Sequence, residues 1–404
     1  MRDVRSGVKA LNIPGEPVDW RAKGFWLPTG TFDAGGRPGL FDGGFTWPVL
    51  VLRRAAAEAN IATMAAYCAR HGLDFAPHAK TTMAPGLIAA QLDAGAWGLT
   101  VATANQALVL RRLGVPRIFV ANQVLDPTAL RWIAAEAEIY FQVDSLAGVS
   151  AAAAVLEGSG GRLRVFVELG HPGGRTGCRT VADLEIVARA AAAVDRLELV
   201  GVTAYEGTLS DEASVDAFLD RVAEAATAVS GLLSTPALVS AGGSAWFDRV
   251  VAKLRPDELG RVILRSGASV THDDGYYRAK TPFHRIPEEG PLASALEVWA
   301  QVTSMPEPGL AVVGMGKRDA PFDEGLPVVL DIRRDGVIEP ITGLTVTKLM
   351  DQHAYLSVET DVDLRVGDLV RFGISHPCTA FDKWRHIPVV DDDHRVVDVL
   401  HTYF

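Results

Sequence analysis

The sequence contains little cysteine. Cys68, Cys178 and Cys378 are its three cysteines among 404 residues. A small, odd number of cysteines excludes a disulfide framework and fits a reducing cytosol. The first twenty residues, MRDVRSGVKALNIPGEPVDW, lack the apolar core of a signal peptide. No apolar run reaches the roughly 18 residues that a membrane helix needs. We therefore expect a cytoplasmic protein without a membrane partner.

The sequence also lacks an excess of positive charge. It has 39 lysines and arginines against 49 acidic residues, a formal net charge of −10. A nucleic acid or an anionic membrane is therefore not expected as its main partner, although a local anion site stays open. The hydrophobic content of 48% and charged content of 22% are ordinary for a globular chain. The length predicts two domains, or one large barrel with an appendage.

Eight short apolar runs alternate with helical segments in the first two thirds of the chain. Ala- and Leu-rich stretches such as PGLIAAQLDAGA separate these runs and favour helices. Near-continuously apolar strands that alternate with helices indicate a parallel sheet covered by helices. Eight such units predict a (β/α)8 TIM barrel rather than an open sheet. The predicted strands are residues 73–78, 98–103, 117–122, 138–145, 162–170, 197–207, 236–243 and 261–267.

A ninth apolar run, WPVLVLRR at residues 47–54, precedes the first predicted helix and is assigned outside the barrel. The pattern changes again after about Leu292. Stretches such as LEVWAQVTSMPEP, GLPVVLDIRRDG and RVGDLVRFGIS read as strands separated by Gly, Pro and Asp turns. This texture predicts a C-terminal antiparallel β domain. We divide the chain into a barrel of residues 41–285 and a β domain of residues 1–40 and 286–404.

Chemistry in such a barrel lies at the carboxyl ends of the strands. Lys80, in LDFAPHAKTTMAP, follows the first strand. Desolvation in an enclosed barrel mouth lowers the pKa of a lysine and frees its amine to form a Schiff base. An ordinary lysine on a loop is the alternative.

Two further polar side chains follow the fifth and sixth strands. Arg175, in the glycine-rich VELGHPGGRTG, can donate to an anionic oxygen, or it can be a surface arginine. Tyr205, in TAYEG, can hydrogen-bond a heterocycle, or it can pack in the core. Both residues stay candidates on the sequence pattern alone.

The seventh and eighth strands end in small-residue turns, SAGGSAWFD with Ser244 and RSGAS at residues 265–269. Free backbone N–H groups in such turns, together with a serine hydroxyl, make an anion-binding site. Adjacent strands seven and eight are the usual phosphate position of this barrel class. The sequence therefore predicts a phosphate site here.

The β domain contains His376 and Cys378, two residues apart in SHPCTAF. In an extended segment both side chains point to the same side, so an imidazole and a thiolate can bind one zinc ion. Two ligands are too few for a structural zinc site and leave positions open for substrate or water. A packed cysteine beside a capping histidine is the alternative.

These motifs together resemble one family over nearly the whole chain: pyridoxal-phosphate enzymes with an alanine-racemase-like barrel (fold type III), specifically the D-serine dehydratase and D-threonine aldolase group. The marks are PHAKT (residues 77–81), RTG (175–177), AGGS (241–244), RSGAS (265–269) and HPC (376–378). The resemblance implies a PLP- and zinc-dependent lyase that acts on D-amino acids with a β-hydroxyl. It also implies a homodimer.

The resemblance assigns roles to individual residues. Lys80 would hold pyridoxal phosphate as a Schiff base and act as the catalytic base, Arg175 would face the 3′-oxygen, and Tyr205 would hydrogen-bond the pyridine nitrogen. The phosphate would be held through N–H groups, and zinc would lie beside the cofactor. The phosphate residues are Gly243, Ser244, Gly267 and Ala268, and the zinc ligands are His376 and Cys378.

Within the group, H-x-C is typical of dehydratases and H-x-D of aldolases, so Cys378 favours α,β-elimination to a 2-oxo acid and ammonia. Retro-aldol cleavage to glycine and an aldehyde, or a non-catalytic PLP carrier, are the alternatives. His353 falls where relatives carry Glu-His-Gly, but its neighbours here are Gln352 and Ala354. This departure puts any role of His353 in doubt, and the substrate's side chain is not fixed by the sequence.

Overall fold

The computed structural model describes residue 11 and residues 15–404. Residues 1–10 and 12–14 of the N-terminal segment, which the sequence assigned to the β domain, lie outside the described residues. Within the described chain, no helix has the length and apolar character needed to cross a bilayer. Two β-sheets organise the chain, one parallel and one mainly antiparallel.

The parallel sheet has eight strands and forms the predicted barrel. Strands are numbered along the chain, and β1 (Val49–Arg53) lies outside the barrel. The sheet order is β2-β9-β8-β7-β6-β5-β4-β3. A parallel bridge between His78 and Thr100 joins its two ends, and Thr100 N–H donates to the Pro77 carbonyl at 3.0 Å. The barrel strands are β2 (Asp74–Phe75), β3 (Leu99–Val101), β4 (Ile118–Gln123), β5 (Ile139–Val143), β6 (Leu163–Leu169), β7 (Leu197–Ala204), β8 (Leu238–Ala241) and β9 (Arg261–Leu264).

Helices connect the barrel strands, and several begin at a side-chain cap that the sequence supplies. The capping residues Thr103, Asp126, Ser145, Thr180 and Asp211 each accept a hydrogen bond from a backbone N–H of the first helical turn. Such caps stabilise a helix by about 1 kcal/mol each. The helices are α1 (Arg54–Arg70), α2 (Pro85–Asp93), α3 (Ala104–Leu113), α4 (Pro127–Ala135), α5 (Leu146–Leu156), α6 (Val181–Ala192), α7 (Glu212–Val229), α8 (Phe247–Lys253), α9 (Pro256–Leu259) and α10 (Tyr276–Lys280).

Large side chains fill the interior of the barrel. Phe119 and Phe166 are fully buried there, with ring centroids 4.7 Å apart, and Tyr140 packs beside Phe166. A second, larger apolar cluster lies between the strands and the surrounding helices. Because the interior is packed, space for a ligand remains at the ends of the strands, as in other barrels of this type.

The second sheet forms the predicted antiparallel β domain. Its main path is β13-β12-β16-β10-β1-β17-β18, and β11, β14 and β15 extend it from β10. The sequence pattern predicted β10, β12, β14, β15 and β16 and missed β11, β13, β17 and β18. The strands are β10 (Leu296–Glu307), β11 (Leu310–Val313), β12 (Val328–Arg334), β13 (Val337–Pro340), β14 (Leu344–Leu349), β15 (Ala354–Val358), β16 (Leu369–Gly373), β17 (His386–Val390) and β18 (Val396–His401).

Strand β1 belongs to this second sheet. It pairs antiparallel with β10 and parallel with β17, and Val49 to Leu52 are buried on both faces. A strand in the middle of a covered sheet is apolar throughout, which is why WPVLVLRR reads as a continuous apolar run. The domain boundary proposed at residue 41 stays a prediction. The strand pairing differs from it, because the chain leaves the second sheet at Arg53 and enters helix α1 of the barrel at Arg54.

Candidate functional site

A cavity of about 420 Å³ opens at the carboxyl ends of the barrel strands and is covered on one side by the β domain. Its volume lies in the range of ligand pockets, roughly 300–1,000 Å³. The structure brings all the site residues proposed from the sequence into the wall of this one cavity. They are Lys80, Arg175, Tyr205, Gly243, Ser244, Gly267, Ala268, His376 and Cys378.

Lys80 enters the cavity from a short 3₁₀ turn, Ala79–Thr81, that follows β2. Burial lowers the pKa of Lys80; the nearby Cys378 has the opposite effect, and the cationic Arg175 and Arg265 lower the pKa further. A lowered pKa increases the fraction of neutral amine, the form that attacks a carbonyl carbon. The environment of Lys80 is therefore that of a nucleophilic lysine.

His78 lies beside Lys80 in the cavity wall. Burial, followed by repulsion from Lys80, Arg265 and Arg175, holds the pKa of His78 well below its usual value, so the ring is neutral. Its Nδ1 atom is buried and has no hydrogen-bond partner in the described part of the chain. Gly267 packs on His78 so closely that a Cβ there would come within 2.5 Å of the His78 carbonyl oxygen. A side chain at position 267 would thus collide with this wall of the cavity.

Arg175 is held by a tight loop after β6. Gly177 has φ +96°, and a Cβ there would collide with the backbone of Gly170. The Arg179 guanidinium donates to three carbonyl oxygens of the loop, which fixes its shape. The guanidinium carbon of Arg175 lies 4.2 Å from the centre of the Tyr205 ring. Arg175 and Tyr205 therefore act as one stacked pair in the cavity wall.

The turn after β8 differs from the sequence prediction in one respect. The N–H of Gly243 donates to the Glu206 carboxylate at 2.6 Å, and the N–H of Gly242 donates to its other oxygen at 3.2 Å. Glu206 is fully buried. The Gly243 amide therefore already has a protein acceptor, whereas the sequence predicted that it would bind phosphate. The Ala268 amide lies 3.4 Å from Ser244 Oγ, at the edge of hydrogen bonding.

Arg265 is a cavity residue to which the sequence analysis assigned no role. It is buried, and its guanidinium donates to Thr203 Oγ1 and to the Ala204 carbonyl, both at 2.5 Å. Together with Lys80 and Arg175 it places three basic side chains in a cavity wall that also contains Glu168 and Glu324, in a chain of net charge −10. Its place at the end of β9, within RSGAS, is the sequence signal that points to it.

His376 and Cys378 enter from the β domain. His376 Nδ1 lies 2.8 Å from Asp323 Oδ2, and Thr379 Oγ1 donates to the other oxygen at 3.0 Å. Burial opposes protonation of His376, but Cys378 and Asp323 outweigh it and raise its pKa to about 9. His376 has φ +124°, a strained value for a residue with a side chain. Cys378 Sγ lies 3.4 Å from Thr81 Oγ1, next to Lys80 in the chain.

Two tyrosines complete the wall around the His-Cys pair. The Tyr276 and Tyr277 rings lie 5.8 and 5.7 Å from the His376 ring. Asp273, which is buried, accepts the backbone N–H groups of Gly275 and Tyr277 and so fixes this segment. Burial raises the pKa of Asp273 to about 6, although these hydrogen bonds oppose the rise. The sequence pattern does not single out these three residues, because they follow the last strand and carry no recognisable motif.

His353 is exposed in the turn between β14 and β15, outside the cavity of its own chain. Within one chain, His353 therefore has no part in the cavity wall, in agreement with the doubt that its sequence neighbours raised. His272 lines a separate pocket with Arg53 and Asp274.

The chain matches two known protein families. The family described as "Alanine racemase, N-terminal domain" matches residues 52–257, and "Putative serine dehydratase domain" matches residues 295–390. The first match covers the barrel up to β8 and α8 but not its last strand, β9, and the second covers most of the β domain. The chain belongs to the alanine racemase N-terminal domain family, and the resemblance inferred from its motifs is confirmed.

Curated relatives cover most of the chain. A 3-hydroxy-D-aspartate aldolase from Paracoccus denitrificans (strain Pd 1222) is 27% identical over 85% of this chain and 88% of its own length. A D-threonine aldolase from an Arthrobacter species is 28% identical over 85% of this chain and 89% of its own.

Solved structures share the fold. The D-threonine aldolase from Filomicrobium marinum superposes with a TM-score of 0.77 at 23% identity, covering 89% of this chain and 95% of that one. The D-threo-3-hydroxyaspartate dehydratase from Delftia sp. HT23 gives 0.71 at 23% identity, covering 89% and 98%. These likenesses confirm the alanine-racemase type of barrel with an antiparallel β domain.

Proposed function

We propose that the protein is a pyridoxal-phosphate- and zinc-dependent lyase that acts on D-amino acids bearing a β-hydroxyl group. Its proposed reaction is α,β-elimination, which gives a 2-oxo acid and ammonia. The observation that carries the proposal is the closeness of a desolvated lysine to a histidine–cysteine pair. Thr81, adjacent to Lys80, contacts Cys378 at 3.4 Å, and all of these side chains line one cavity.

The cavity fits the cofactor in charge and in shape. Arg175 and Arg265 supply positive charge for a phosphate and a phenolic oxygen. Gly267 leaves space that a Cβ would fill, and the unpartnered Nδ1 of His78 offers a polar contact. Lys80 would hold the cofactor through its side-chain nitrogen. The small turns after β8 and β9 would hold the phosphate through Ser244, Gly267 and Ala268.

When bound, pyridoxal phosphate supplies an electron sink that makes the Cα proton of an amino acid acidic. Lys80 would then take up that proton, because burial lowers the pKa of its amine and so raises the neutral fraction. Arg175 would donate to an anionic oxygen of the cofactor, and its stacking on Tyr205 fixes the direction of both side chains. The burial that raises the pKa of Tyr205 keeps its phenol neutral, so that it donates a hydrogen bond rather than carrying charge.

His376 and Cys378 would bind the metal, which supplies Lewis acidity to the departing β-oxygen. Because Nδ1 lies 2.8 Å from the Asp323 carboxylate, Nε2 is the ring nitrogen that would bind the metal, and metal binding would displace the proton that the raised pKa of His376 retains. A neighbouring structure adds support: D-threo-3-hydroxyaspartate dehydratase has been solved with a histidine replaced, and also with a cysteine two positions later replaced, the latter "in the metal-free form". A thiolate ligand favours zinc over harder ions.

Retro-aldol cleavage to glycine and an aldehyde is the second candidate. The curated relatives that cover 85% of the chain are named aldolases, whereas the named dehydratase from Delftia sp. (strain HT23) is 31% identical over 32% of the chain. The His-x-Cys pair, in contrast, favours elimination. Both reactions use the same cavity, and they differ in the bond that breaks at Cβ.

Product analysis separates the two reactions. The purified protein with added pyridoxal phosphate and zinc would be given D-serine, D-threonine and D-3-hydroxyaspartate, with the L-enantiomers as controls. Elimination releases ammonia and a 2-oxo acid, whereas retro-aldol cleavage releases glycine and an aldehyde. Ammonia from a D-substrate supports the proposal, and aldehyde without ammonia overturns the elimination and supports the second candidate.

Removal of the metal tests the role of the His-Cys pair. Dialysis against a chelator should abolish turnover while the visible absorbance of the bound cofactor remains, and added zinc should restore turnover. Full turnover in metal-depleted protein would contradict the metal's role. Release of the cofactor by the chelator would indicate that the metal holds it in place.

A homodimer and a cytoplasmic location stay predictions. The three cysteines are unpaired thiols, which suits a reducing compartment.

A further inference from the structure

A second group of metal-binding side chains lies away from the cavity, at the last hairpin of the β domain. His386 in β17 and His401 in β18 are directly opposite each other in the sheet, with ring centroids 4.9 Å apart. Glu16, from the N-terminal segment, joins them. One ligand atom from each of the three side chains lies within 4.8 Å of the other two.

The two imidazoles lack the partners that buried polar groups ordinarily have. His386 is 7% exposed, and neither of its ring nitrogens has a hydrogen-bond partner in the described residues. Nδ1 of His401 is buried in the same way. Burial lowers the pKa of His386 to about 4 and lowers that of His401 as well, so both rings are neutral and offer lone pairs. Unsatisfied nitrogens in a native hairpin call for a ligand.

The surroundings supply negative charge as well. The Glu16 carboxylate binds Arg385 through one oxygen at 2.8 Å, which leaves its second oxygen for another partner. Asp19 lies near enough to act electrostatically on His386, and Asp398 acts in the same way on His401. Two neutral imidazoles and a carboxylate are a usual donor set for zinc and related ions.

We propose that Glu16, His386 and His401 bind a second divalent transition-metal ion of the zinc class, with a water in the remaining position. Ligands on tetrahedral zinc lie about 3.4 Å apart, so small side-chain rotations must draw the three groups together by up to about 1.4 Å. The ion would tie the N-terminal segment to the β17–β18 hairpin. It is a structural tie, because these residues lie outside the wall of the catalytic cavity.

The proposed ion would also affect the part of the barrel that carries Lys80. Beyond β18, the N–H of Tyr403 donates to the Met83 carbonyl at 3.0 Å, and Leu400 packs against Gly86 at the start of α2. Met83 lies three residues after Lys80 in the chain. An ion that fixes the hairpin would therefore also fix the segment on which the catalytic lysine is mounted.

The test isolates this site from the His376–Cys378 pair by working in a Cys378→Ala chain. Holoprotein would be depleted of metal, titrated with zinc, and its bound metal measured per chain after gel filtration. We expect one bound zinc in Cys378→Ala and none when His401→Ala or Glu16→Gln is added. His401 and Glu16 are partly exposed, so these changes are tolerated better than replacement of buried His386. His353→Ala, which removes an exposed imidazole, is the matched control and should keep the ion.

Cobalt gives a second readout. Cobalt at Glu16, His386 and His401 should show d–d bands without the thiolate-to-cobalt charge-transfer band, which belongs to a site containing Cys378. Zinc should also raise the melting temperature of Cys378→Ala, and the rise should disappear with His401→Ala. A Cys378→Ala protein that binds no metal, or that keeps its ion after both further changes, overturns the inference. The proposed function fails separately, if wild-type protein shows no charge-transfer band.

Discussion

His376 and Asp323 form a pair in which ring nitrogen Nδ1 lies 2.8 Å from carboxylate oxygen Oδ2. Asp323 lies in the loop between β11 and β12, and a hydrogen bond from Thr379 holds its other oxygen. The pair orients the imidazole and leaves Nε2 as the nitrogen that would bind the proposed metal. Such outer partners of a histidine ligand commonly tune metal affinity.

Asp323→Asn should weaken metal binding without affecting the cofactor. Asparagine keeps an oxygen acceptor for Nδ1 but loses the charge that makes the imidazole a better donor. We expect the zinc concentration for half-maximal activity to rise about 10- to 100-fold, with full recovery at excess zinc. The cofactor's absorbance should be unchanged. Measurement of activity against buffered free zinc gives the shift.

Asp382→Asn is the matched control for this change, because Asp382 is exposed in the same segment as the His-Cys pair. It should leave the zinc dependence as in wild type. If Asp323→Asn shows the same zinc midpoint as Asp382→Asn, Asp323 does not position His376 for the metal.

Replacement of Lys80 tests the covalent attachment of the cofactor. Reduction of the wild-type holoprotein with borohydride should leave the cofactor on the chain, visible as added mass after denaturation. Lys80→Ala should carry no added mass, because its nucleophilic amine is gone, and its turnover should fall by about 10³-fold. Lys280→Ala is the control: Lys280 lies 3.9 Å from the Tyr276 ring centre and is exposed. Added mass on the Lys80→Ala chain would disprove the assignment.

The sequence predicted the residues that lie where strands end. All eight barrel strands have near-continuous apolar runs, and their carboxyl ends meet at one edge, so Lys80, Arg175 and Tyr205 converge whatever the details of the helices. The antiparallel domain was predicted less completely. The short strands β11 and β13 carry too few residues for a period to be recognised. Strands β17 and β18 follow the HPC motif, and that region was interpreted for metal ligands rather than for strands.

The partners of the site residues were beyond the sequence pattern. Asp323 and Glu206 act through contacts with residues 53 and 37 positions away along the chain, and nothing in their local sequence indicates those contacts. Glu206 in particular follows Tyr205 directly and was read as part of a strand end. Its carboxylate instead points toward the next strand and accepts a hydrogen bond from the Gly243 N–H. This arrangement depends on the packing of β7 against β8.

Glu206→Gln should weaken binding of pyridoxal phosphate. The carboxylate accepts the Gly242 and Gly243 amides, and hydrogen bonds to a charged group are worth about 1.5–3 kcal/mol. Glutamine keeps one acceptor and turns an N–H donor toward the other amide, so the turn beside Ser244 loosens. We expect the dissociation constant of the cofactor to rise about 10-fold, measured by absorbance titration of the apoprotein.

Glu224→Gln provides the comparison for this change, since Glu224 is exposed on α7. Its cofactor affinity should match wild type. Equal affinities for Glu206→Gln and wild type would indicate that the turn keeps its shape without the carboxylate.

His272 should make stability depend on pH in a way that a non-titrating residue does not. Burial, with smaller effects of His284 and Arg278, lowers its pKa from 6.5 to about 4. Between these values the unfolded chain binds a proton that the folded chain excludes, so the free energy of unfolding falls as pH falls from 6.5 toward 4. Above 6.5 neither state is protonated at His272, and the effect is absent.

His272→Asn removes this dependence, and asparagine tolerates the backbone φ of +47° at this position. The free energy of unfolding would be measured with urea at about pH 7.5 and about pH 5. Between these two pH values it should fall by about 2 kcal/mol more for wild type than for the variant. Other titrating groups, including His386, act in both proteins and cancel in the difference. His353→Asn, at an exposed histidine, should follow wild type. Parallel losses in wild type and His272→Asn would mean that His272 is protonated in the folded protein at about pH 5.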